Sequence, residues 1–393
     1  MKIFYISPSV MPSRSANSIH VANMCEALTQ LGHNVVLFVG SEDSNVNACQ
    51  DAMLKFYGID NEKIQVVPYF IKHVRGVEIY IALYSLFYFI KSIFNQSVPR
   101  FIIARNLYAA LFFGVICRRN IIYETHSPEK GIRKVFQKWL VNCKKARTIV
   151  ISEALKDIIS SYFNILGESI YVFHDAARAD QKPLNTLEKK AVQKSILGDE
   201  LKIIDFKKIV GYFGHLYSGR GIDIIEGLAG LNGQHAFVVY GGHEKDIARL
   251  KQKNSHSNLF FMGHISPEKV SIAMAMMDVL LMPYQKSVSV GLAGVDTAQW
   301  MSPMKMFEYM SVGVPIISSD LPVLKEVLVH NKNALLVKPN NVDEWSRALQ
   351  QIDESPELEE KLGQTAYKQY AEKYTWKIRA KGILNLLIFP KAD

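Results

Sequence analysis

Short β-rich segments alternate with helical segments along this chain, and the alternation occurs in two runs. The first run contains KIFYIS, NVVLFVG, FIIAR, NIIYET, RTIVIS and SIYVFH, and the second contains KIVGYFG, AFVVYGG, LFFMGH, VLLMPY and VPIISS. A strand–helix–strand rhythm predicts a parallel sheet with helices on both faces. The polar stretch DAARADQKPLNTLEKK separates the two runs. The sequence therefore predicts two doubly wound, Rossmann-like α/β domains.

The chain length agrees with two domains. A chain of 393 residues exceeds what one hydrophobic core usually organises. The break in the rhythm places a first domain at 1–182, a second at 183–374 and a terminal helical segment at 375–393. Ligands of such sheets bind beyond the carboxyl ends of the strands, so we expect the two domains to face a central cleft.

Composition excludes several classes of protein. With 49% hydrophobic and 21% charged residues, both domains should be ordinary globular units. The four cysteines show no CxxC spacing and no histidine pairs at zinc-site intervals, so neither a disulfide framework nor a metal site is expected. A reducing cytosol suits this pattern. Isolated histidines such as His20 are expected to be structural.

The amino terminus and the most apolar segment indicate whether the chain is expected to enter or cross a membrane. The start, MKIFYISPSVMPS, has no long apolar region, so no signal peptide is expected. The segment IYIALYSLFYFI is bracketed by Glu78 and Lys91 and is shorter than the ~20 residues that a spanning helix needs. The sequence therefore predicts no membrane crossing.

Positive charge is concentrated in the first half of the chain. Residues 1–182 hold 21 Lys and Arg against 14 Asp and Glu, whereas the remainder holds 25 against 23. Basic residues lie beside aromatic segments such as FIKHVRGVEIYIALYSLFYFIKSIF and KGIRKVFQKWLVNCKKAR. This pattern favours contact with an anionic membrane surface, and a solvated helix face over a core is the alternative. No nucleic-acid motif accompanies the charge, so nucleic acid is not an expected partner.

The segment SPMKMFEYMSVGVPIISSD carries two opposite charges on a short predicted helix. Ser302 is predicted as the N-cap and Pro303 as the first helical residue, which leaves the amides of Met304 and Lys305 free. Free amides at a helix start bind phosphate, and the Lys305 ammonium adds a cation there. Glu308, one turn later, can accept hydrogen bonds from sugar hydroxyls. The pattern predicts a nucleotide or nucleotide-sugar site, and an internal Lys305–Glu308 ion pair is the alternative.

These segments together resemble the family-4 retaining glycosyltransferases of the two-Rossmann, B-type fold, in the branch with the donor-site motif SPxKxxEYM. SPMKMFEYMSVGVPIISSD is similar to the family's donor signature and GYFGHLYSGRGIDII to its phosphate-facing loop. SRSANSIHVANMCEALTQLGHNVVLFVG, YETHS and LVKPNNVDEWSRALQQI are similar to three further family regions. The resemblance implies that 1–182 binds the acceptor, that 183–374 binds the nucleotide sugar, and that the helix within 375–393 packs on the first domain.

The resemblance also implies roles for single residues. Glu308 would hold the ribose, Lys305 the distal phosphate, Arg220 the departing diphosphate, and His126 the transferred sugar or the phosphate. These four are the predicted catalytic residues. The predicted donor-binding residues are Asn17, Gly214, His215, Gly263, His264, Ile265, Ser302, Pro303 and Met304.

Three positions depart from the family pattern. Trp300 stands where the family has the first of two paired glutamates, so a carboxylate that normally contacts the donor sugar is missing. Ser15 to Asn17 replace the glycine pair of the first loop, and His215 replaces a basic residue. These changes leave the identity of the donor sugar open.

The predicted reaction moves a sugar from a nucleoside diphosphate sugar to an acceptor hydroxyl with retention at the anomeric carbon. No cofactor is expected. The acceptor would be a saccharide or a lipid-linked saccharide in surface polysaccharide or glycolipid assembly, and the enzyme would be cytoplasmic or peripheral at the inner face of the cytoplasmic membrane. A non-hydrolysing sugar-nucleotide epimerase and a non-catalytic nucleotide-sugar-binding protein are the alternatives. A dinucleotide dehydrogenase would require a GxGxxG after the first strand, which SPSVMPSRSANS lacks.

Overall fold

The chain forms two compact units. The computed structural model describes residues 1–43, 45–59, 62–70, 76–95, 98–178, 182–197, 203–289 and 296–388. Parts of the predicted basic segment (71–75), of the polar stretch (179–181) and of the terminal segment (389–393) lie outside the described residues. The first unit contains Met1–Asp175 and Trp376–Asp393, and the second contains Ala176–Thr375.

The first unit is built on a seven-stranded sheet in which every strand pair is parallel. The strands are β1 (Lys2–Val10), β2 (Asn34–Ser41), β3 (Ile64–Phe70), β4 (Phe101–Ala104), β5 (Ile121–Glu124), β6 (Ala146–Val150) and β7 (Ile170–Val172). Their order is β3-β2-β1-β4-β5-β6-β7. All residues of β4 and β5 are buried, as expected of parallel strands that are covered on both faces.

Helices connect these strands. They are α1 (Ala16–Gln30), α2 (Val46–Phe56), α3 (Val77–Phe94), α4 (Leu107–Ala110) with a π-helical continuation (Leu111–Ile116), α5 (Ile132–Val141) and α6 (Glu153–Phe163). The starts of α1 and α6 have side-chain caps, because Ser15 accepts a hydrogen bond from the amide of Ser18 and Ser152 from that of Leu155. A short 3₁₀ turn (Gly167–Ser169) precedes β7.

The second unit has a six-stranded sheet, again with every strand pair parallel. Its strands are β8 (Lys208–Phe213), β9 (His235–Tyr240), β10 (Leu259–Gly263), β11 (Val279–Met282), β12 (Ile316–Ser319) and β13 (Leu335–Val337), in the order β10-β9-β8-β11-β12-β13. Its helices are α7 (Thr186–Leu197), α8 (Ile222–Leu231), α9 (Glu244–Lys253), α10 (Pro267–Ala275), α11 (Met304–Ser311), α12 (Val342–Glu354) and α13 (Pro356–Lys373). The final helix, α14 (Trp376–Ile388), belongs to the first unit.

Both sheets reverse strand order next to their first strand, between β1 and β4 and between β8 and β11. Such a topological switch point is where open α/β sheets bind ligands. The prediction of two doubly wound parallel-sheet domains is confirmed. The sequence patterns missed β3 and β13.

The division between the units falls before the predicted boundary at 182. The backbone amide of Ala177 donates to the carbonyl of Tyr374 at 3.1 Å, and the hydroxyl of Tyr370 donates to the carbonyl of Ala177 at 3.3 Å. Ala177 is thereby fixed to the end of α13, which is why the second unit begins at Ala176.

Helix α3 is longer than its apolar segment alone indicated. Glu78 and Lys91, which were expected to bracket the segment, both lie inside an 18-residue helix. With a mean hydropathy of 1.5, the helix is long enough and apolar enough to cross a membrane. A third of it is buried within the protein. Val77, Ile81 and Phe89 pack in the core of the first unit, so length and composition do not identify α3 as a membrane span.

Candidate functional site

Glycines lie at the carboxyl ends of three neighbouring strands in the second unit. Gly214 follows β8, Gly241 follows β9, and Gly263 ends β10. The amide of Gly241 donates to the carbonyl of Gly263 at 2.6 Å, and that of Gly214 donates to the carbonyl of Tyr240 at 2.9 Å. All three have positive φ angles of 77° to 148°. A Cβ at Gly241 would overlap the carbonyl of Gly214, so the strand ends approach closely only without side chains.

Helix α11 begins one residue later than predicted. Pro303, with φ −73° and ψ 119°, is the N-cap, so the chain turns into the helix only at Met304. Ser302 is buried and is not the N-cap, which corrects its predicted capping role. The amides of Met304 and Lys305 nevertheless occupy the first helical turn, where no carbonyl of the helix can accept from them. The amides of Met304 and Lys305, which the sequence predicts to bind phosphate, therefore lie at the helix start.

Lys305 is directed toward aromatic rings rather than toward an acid. Its Nζ lies 4.0 Å from the centroid of the Tyr212 ring and 5.7 Å from that of Tyr284. The hydroxyl of Tyr309 on the same helix accepts from the amide of Phe213 at 2.9 Å, which ties α11 to the end of β8. A Cβ at Gly214 would overlap Lys305 Nζ. The glycine thus makes room for the ammonium group beside the end of β8.

No ion pair joins Lys305 to Glu308 in the described part of the chain, so the ion-pair alternative is not what holds this helix. The Glu308 carboxylate has neither a hydrogen bond nor an ion pair there, and it is partly buried. Burial raises the pKa of Glu308 above its ordinary value, with the Lys305 charge opposing that shift. Glu308 is therefore a carboxylate whose acceptor oxygens remain available to a ligand.

Arg220 is held against the loop that follows β11. Its Nη1 donates to the hydroxyl of Tyr284 at 3.0 Å and its Nη2 to the carbonyl of Ser289 at 3.2 Å, and its guanidinium lies 5.1 Å from the Tyr284 ring. Its buried Nε makes no hydrogen bond to any described residue. Cβ atoms at Gly219 or Gly221 would overlap the backbone of this loop, which explains glycine on both sides of the arginine.

The two cations affect each other. Burial, followed by the Arg220 charge, holds the pKa of Lys305 well below its ordinary value, although Glu308 opposes this. Burial, Arg220 and Lys305 likewise lower the pKa of His215. The positive charges of Arg220 and Lys305 thus add to the effect of burial on the side chains where β8 and β11 end. An anionic ligand there would favour the protonated forms of Lys305 and His215.

The remaining predicted donor residues lie around this centre. The His215 ring stacks on that of Tyr217, with centroids 4.8 Å apart and planes within 6°. The hydroxyl of Tyr217 lies 3.3 Å from Nε2 of His243, the residue that precedes α9. His264 is exposed and Ile265 is partly buried in the turn after β10. The second unit therefore brings all the predicted residues from Gly214 to Glu308 to the carboxyl ends of its strands.

Two predicted residues, Asn17 and His126, belong to the first unit. Asn17 is exposed in the first turn of α1, and its Nδ2 donates to Oγ of Ser9 at 2.7 Å. The His126 side chain is 29% exposed and follows β5. Its Nε2 lies 3.0 Å from Oε1 of Glu124 and 3.1 Å from Nη2 of Arg105. His126 is therefore held between an acid and a guanidinium.

Glu124 is the centre of a buried charge network that sequence patterns did not reveal. Its Oε1 lies 2.8 Å from Nη2 of Arg379 on α14 and 3.0 Å from Nε2 of His20. Nδ1 of His20 lies 2.9 Å from Oδ1 of Asp175. His20 thus has the structural role that was expected of it. The only signal available in sequence was that Arg105 and Glu124 end or follow β-rich runs, where ligand-facing residues occur.

His20, Glu124 and His126 also have the donor atoms of a metal site, all within 4.8 Å of one another. The guanidinium of Arg379 already contacts the shared oxygen of Glu124, and that of Arg105 contacts His126. Two cations at these distances would repel a metal ion. The cluster is better suited to fix the orientation of His126.

Electrostatics define the charge states of this network. Burial alone would raise the pKa of Glu124, but Arg379, His20 and Arg105 hold it well below its ordinary value. Burial and then Arg105 lower the pKa of His126 to about 4. At neutral pH the first unit therefore presents a neutral imidazole beside an ionised carboxylate.

Comparison with known sequences finds a family that matches the second unit. Residues 196–369 match the family Glycosyl transferases group 1. An uncharacterized glycosyltransferase from Methanocaldococcus jannaschii is 22% identical over 292 residues, which is 69% of this chain and 70% of that protein. A chitobiosyldiphosphodolichol beta-mannosyltransferase from Debaryomyces hansenii is 22% identical over 254 residues, which is 56% of this chain and 49% of that protein. The chain therefore contains a group 1 glycosyltransferase domain.

Solved structures match the whole chain. HepE from Anabaena, determined in complex with UDP, has a TM-score of 0.71 at 14% identity and covers 99% of this chain and 100% of its own. A glycosyltransferase from Rickettsia africae has a TM-score of 0.72 at 12% identity, with coverage of 100% and 99%. The fold is that of the B-type glycosyltransferases, with two Rossmann-like domains.

Proposed function

We propose that this protein transfers a sugar from a nucleoside diphosphate sugar to an acceptor hydroxyl with retention of the anomeric configuration, as a family-4 enzyme of the SPxKxxEYM branch. The observation that carries the proposal is the pair of cations, Lys305 and Arg220, beside the start of α11 at the switch point of the second sheet. Neither cation has a carboxylate partner among the described residues. Both are thus available to a diphosphate.

In the proposed reaction the bond between the anomeric carbon and the diphosphate oxygen breaks, and the bonding electrons leave with the diphosphate. The acceptor oxygen bonds to the same face of the anomeric carbon, and its proton passes to the departing phosphate oxygen. Negative charge grows on the diphosphate as it leaves. Arg220, Lys305 and the amides of Met304 and Lys305 would stabilise that charge in a preorganised site.

The other predicted residues would orient the donor. The Glu308 carboxylate would accept hydrogen bonds from the ribose hydroxyls, since no described residue occupies its oxygens. The turn Gly263–Ile265 would contact the base through its backbone. His126, neutral at neutral pH, would donate or accept a hydrogen bond at the transferred sugar or phosphate. The mechanism uses no metal ion or cofactor, because side-chain cations and helix amides supply the positive charge.

The comparisons with known proteins support a class of donor and a class of acceptor. HepE was determined with UDP and with UDP-glucose, which supports a nucleoside diphosphate sugar as donor. The Debaryomyces relative is named as a transferase that acts on a diphosphodolichol-linked sugar. We infer a saccharide or lipid-linked acceptor, in surface polysaccharide or glycolipid assembly, and a cytoplasmic enzyme that works at the inner face of the cytoplasmic membrane.

A thermal-shift panel of nucleoside diphosphate sugars tests donor binding. A ligand at ~100 times its dissociation constant adds about 2.7 kcal/mol of stability, so a true donor should raise the melting temperature clearly. Arg220→Ala should lose that shift in part, and Arg249→Ala, which changes an exposed arginine on α9, should retain it. If no nucleotide or nucleotide sugar stabilises the wild-type protein, the proposal is wrong.

Incubation of the identified donor with and without acceptor tests the reaction. Transfer with retained configuration, read from the anomeric coupling in the product's NMR spectrum, is expected only when acceptor is present. Conversion of the donor to another nucleotide sugar without acceptor would instead identify an epimerase. Binding without turnover under any of these conditions would identify a non-catalytic protein.

A further inference from the structure

Helix α3 has apolar residues on the side that faces solvent. Tyr80, Leu83, Phe87, Ile90 and Phe94 are between 46% and 81% exposed. They recur at intervals of three and four residues, which places them along one side of the helix. The opposite side packs in the core of the first unit. A helix that is apolar all round is normally buried or in contact with lipid.

Helix α5 extends this surface. Ile132, Val135 and Trp139 are 67%, 41% and 53% exposed and follow the same spacing. Helices α3 and α5 cover the same face of the first sheet, because both contribute to one core cluster. Arg133 of α5 also pairs with Glu78 of α3 at 2.5 Å. We name these five residues of α3 and three of α5 the apolar face.

The apolar face is unusual for this protein. In the described part of the second unit, the exposed large hydrophobic residues are Leu187, Leu231 and Val329, which lie on separate segments. Single exposed hydrophobic residues are normal, whereas a contiguous patch marks an interaction surface.

The charge of the surrounding segment indicates the partner. Residues 77–150 hold 12 Lys and Arg against three Glu, and this excess equals the formal net charge of +9 of the whole chain. All three glutamates are paired, Glu78 and Glu129 with Arg133 and Glu124 with Arg379. The exposed basic residues of the segment include Lys91, Arg118, Arg119, Lys138, Lys144 and Lys145. A partner that could contact both the apolar face and the basic residues around it has an apolar interior and a negatively charged surface.

We propose that the apolar face inserts into the interfacial region of an anionic lipid bilayer, with α3 lying in the membrane plane. The basic residues around it would contact the lipid phosphates. Tyr80 and Trp139 are of the type that settles at the headgroup level, and Lys91 can extend its ammonium to the surface from within α3. Because Val77, Ile81 and Phe89 are held in the protein core, the helix lies on the membrane rather than across it.

The same charges argue against a second copy of the chain as the occupant. Two such faces brought together would place two segments of like charge against each other, with no unpaired acid among their described residues to compensate. The inference deepens the membrane location in the proposed function. It does not depend on the reaction, because binding to vesicles requires neither donor nor acceptor.

Co-sedimentation with vesicles tests the proposal. Wild-type protein should bind vesicles of phosphatidylcholine mixed with phosphatidylglycerol and should not bind pure phosphatidylcholine vesicles, and salt should weaken the binding. The variant Leu83→Ser/Phe87→Ser/Phe94→Ser should bind about 1,000-fold more weakly, since each of the three inserted side chains contributes roughly tenfold. The charge variant Arg118→Glu/Lys138→Glu should bind at least about tenfold more weakly.

Matched controls come from the second unit. Leu187→Ser/Leu231→Ser/Val329→Ser removes three exposed hydrophobic residues outside the apolar face, and Lys361→Glu/Lys368→Glu reverses two exposed charges on α13. Both controls should bind vesicles as wild type does. All variants should retain the wild-type far-UV circular dichroism spectrum and the response to nucleoside diphosphate.

Three results would overturn the proposal. Equal binding to neutral and anionic vesicles would show that the basic residues do not contribute to binding. Loss of binding in the charge variant with full binding in the apolar variant would mean that the apolar face does not insert. A wild-type dimer in solution that the apolar variant converts to monomer, without vesicle binding by either, would identify a second copy as the occupant.

Discussion

Glu308→Ala separates the two explanations for the opposite charges on α11. If Glu308 holds a ribose, the variant should lose nucleotide affinity and keep its stability. If Glu308 served the fold as the partner of Lys305, the variant should lose stability and keep its affinity. The structure favours the first outcome, because no ion pair joins the two side chains among the described residues.

The expected magnitudes follow from the contacts. Removal of one charge-assisted hydrogen bond costs ~1.5–3 kcal/mol, which corresponds to about 10- to 150-fold in the dissociation constant of a nucleoside diphosphate. Breaking a buried ion pair from one side would instead destabilise the protein by ~3–5 kcal/mol. Burial raises the folded-state pKa of Glu308. A carboxyl group with a raised pKa stabilises the fold only in acid and loses that contribution as pH rises through the raised pKa, so at neutral pH its removal should not destabilise the fold.

Both quantities should be measured on one preparation, by calorimetric titration with the nucleoside diphosphate and by denaturant unfolding of the free protein. Glu308→Gln should recover part of the affinity, because its amide can still accept one hydrogen bond. Glu372→Ala, which changes an exposed glutamate of α13, is the matched control and should leave both quantities unchanged. Unchanged affinity together with a large loss of stability would refute the assignment of Glu308 to the donor.

Other changes probe the cations of the same site. Arg220→Ala should keep the fold and lose ~10²-fold in turnover, and a loss below about twofold in steady-state kinetics would contradict a role at the leaving group. Because burial and Arg220 lower the pKa of Lys305, a bound diphosphate should raise it again, so binding at pH above the lowered pKa should take up a proton. Calorimetry in buffers of different ionisation enthalpy should detect this uptake in wild type and not in Lys305→Met, and an enthalpy independent of buffer would contradict it. Gly214→Ala should lower donor affinity and destabilise the fold by ~1–3 kcal/mol, because the added Cβ would overlap the Lys305 side chain and because residue 214 has a positive φ. Titration with donor and denaturant unfolding measure the two effects. Wild-type affinity in this variant would show that Lys305 does not need the space that the glycine leaves.

The strands that sequence patterns predicted are those with long apolar runs. Strands β4 and β5 are buried over their whole length, and buried parallel strands produce the uninterrupted hydrophobic segments that are easiest to recognise. Strand β13 has three residues, Leu335–Val337, which is too short to show any periodicity. Strand β3 contains Pro68, a residue that argues against a strand when only the sequence is considered.

One short segment carries the chemistry that the sequence predicts for the donor site. The positions of Lys305 and Glu308 follow from the helix that contains them, so their spacing could be interpreted without knowing the rest of the fold. The helix start was predicted one residue early, because the sequence does not determine whether a proline near a helix start is the cap or the first helical residue. The rings of Tyr212 and Tyr284 beside Lys305 come from two other strand ends, which only the folded sheet brings together.

The network around Glu124 shows what sequence patterns cannot reach. Glu124 and Arg379 are 255 positions apart, and no local periodicity relates them. A carboxylate that is buried without a cation would protonate or destabilise the fold. Arg379 keeps Glu124 ionised, and the same Glu124 oxygen lies 3.0 Å from His126 Nε2. Helix α14 therefore does more than cover the first sheet, because its arginine sets the charge of the group that orients His126.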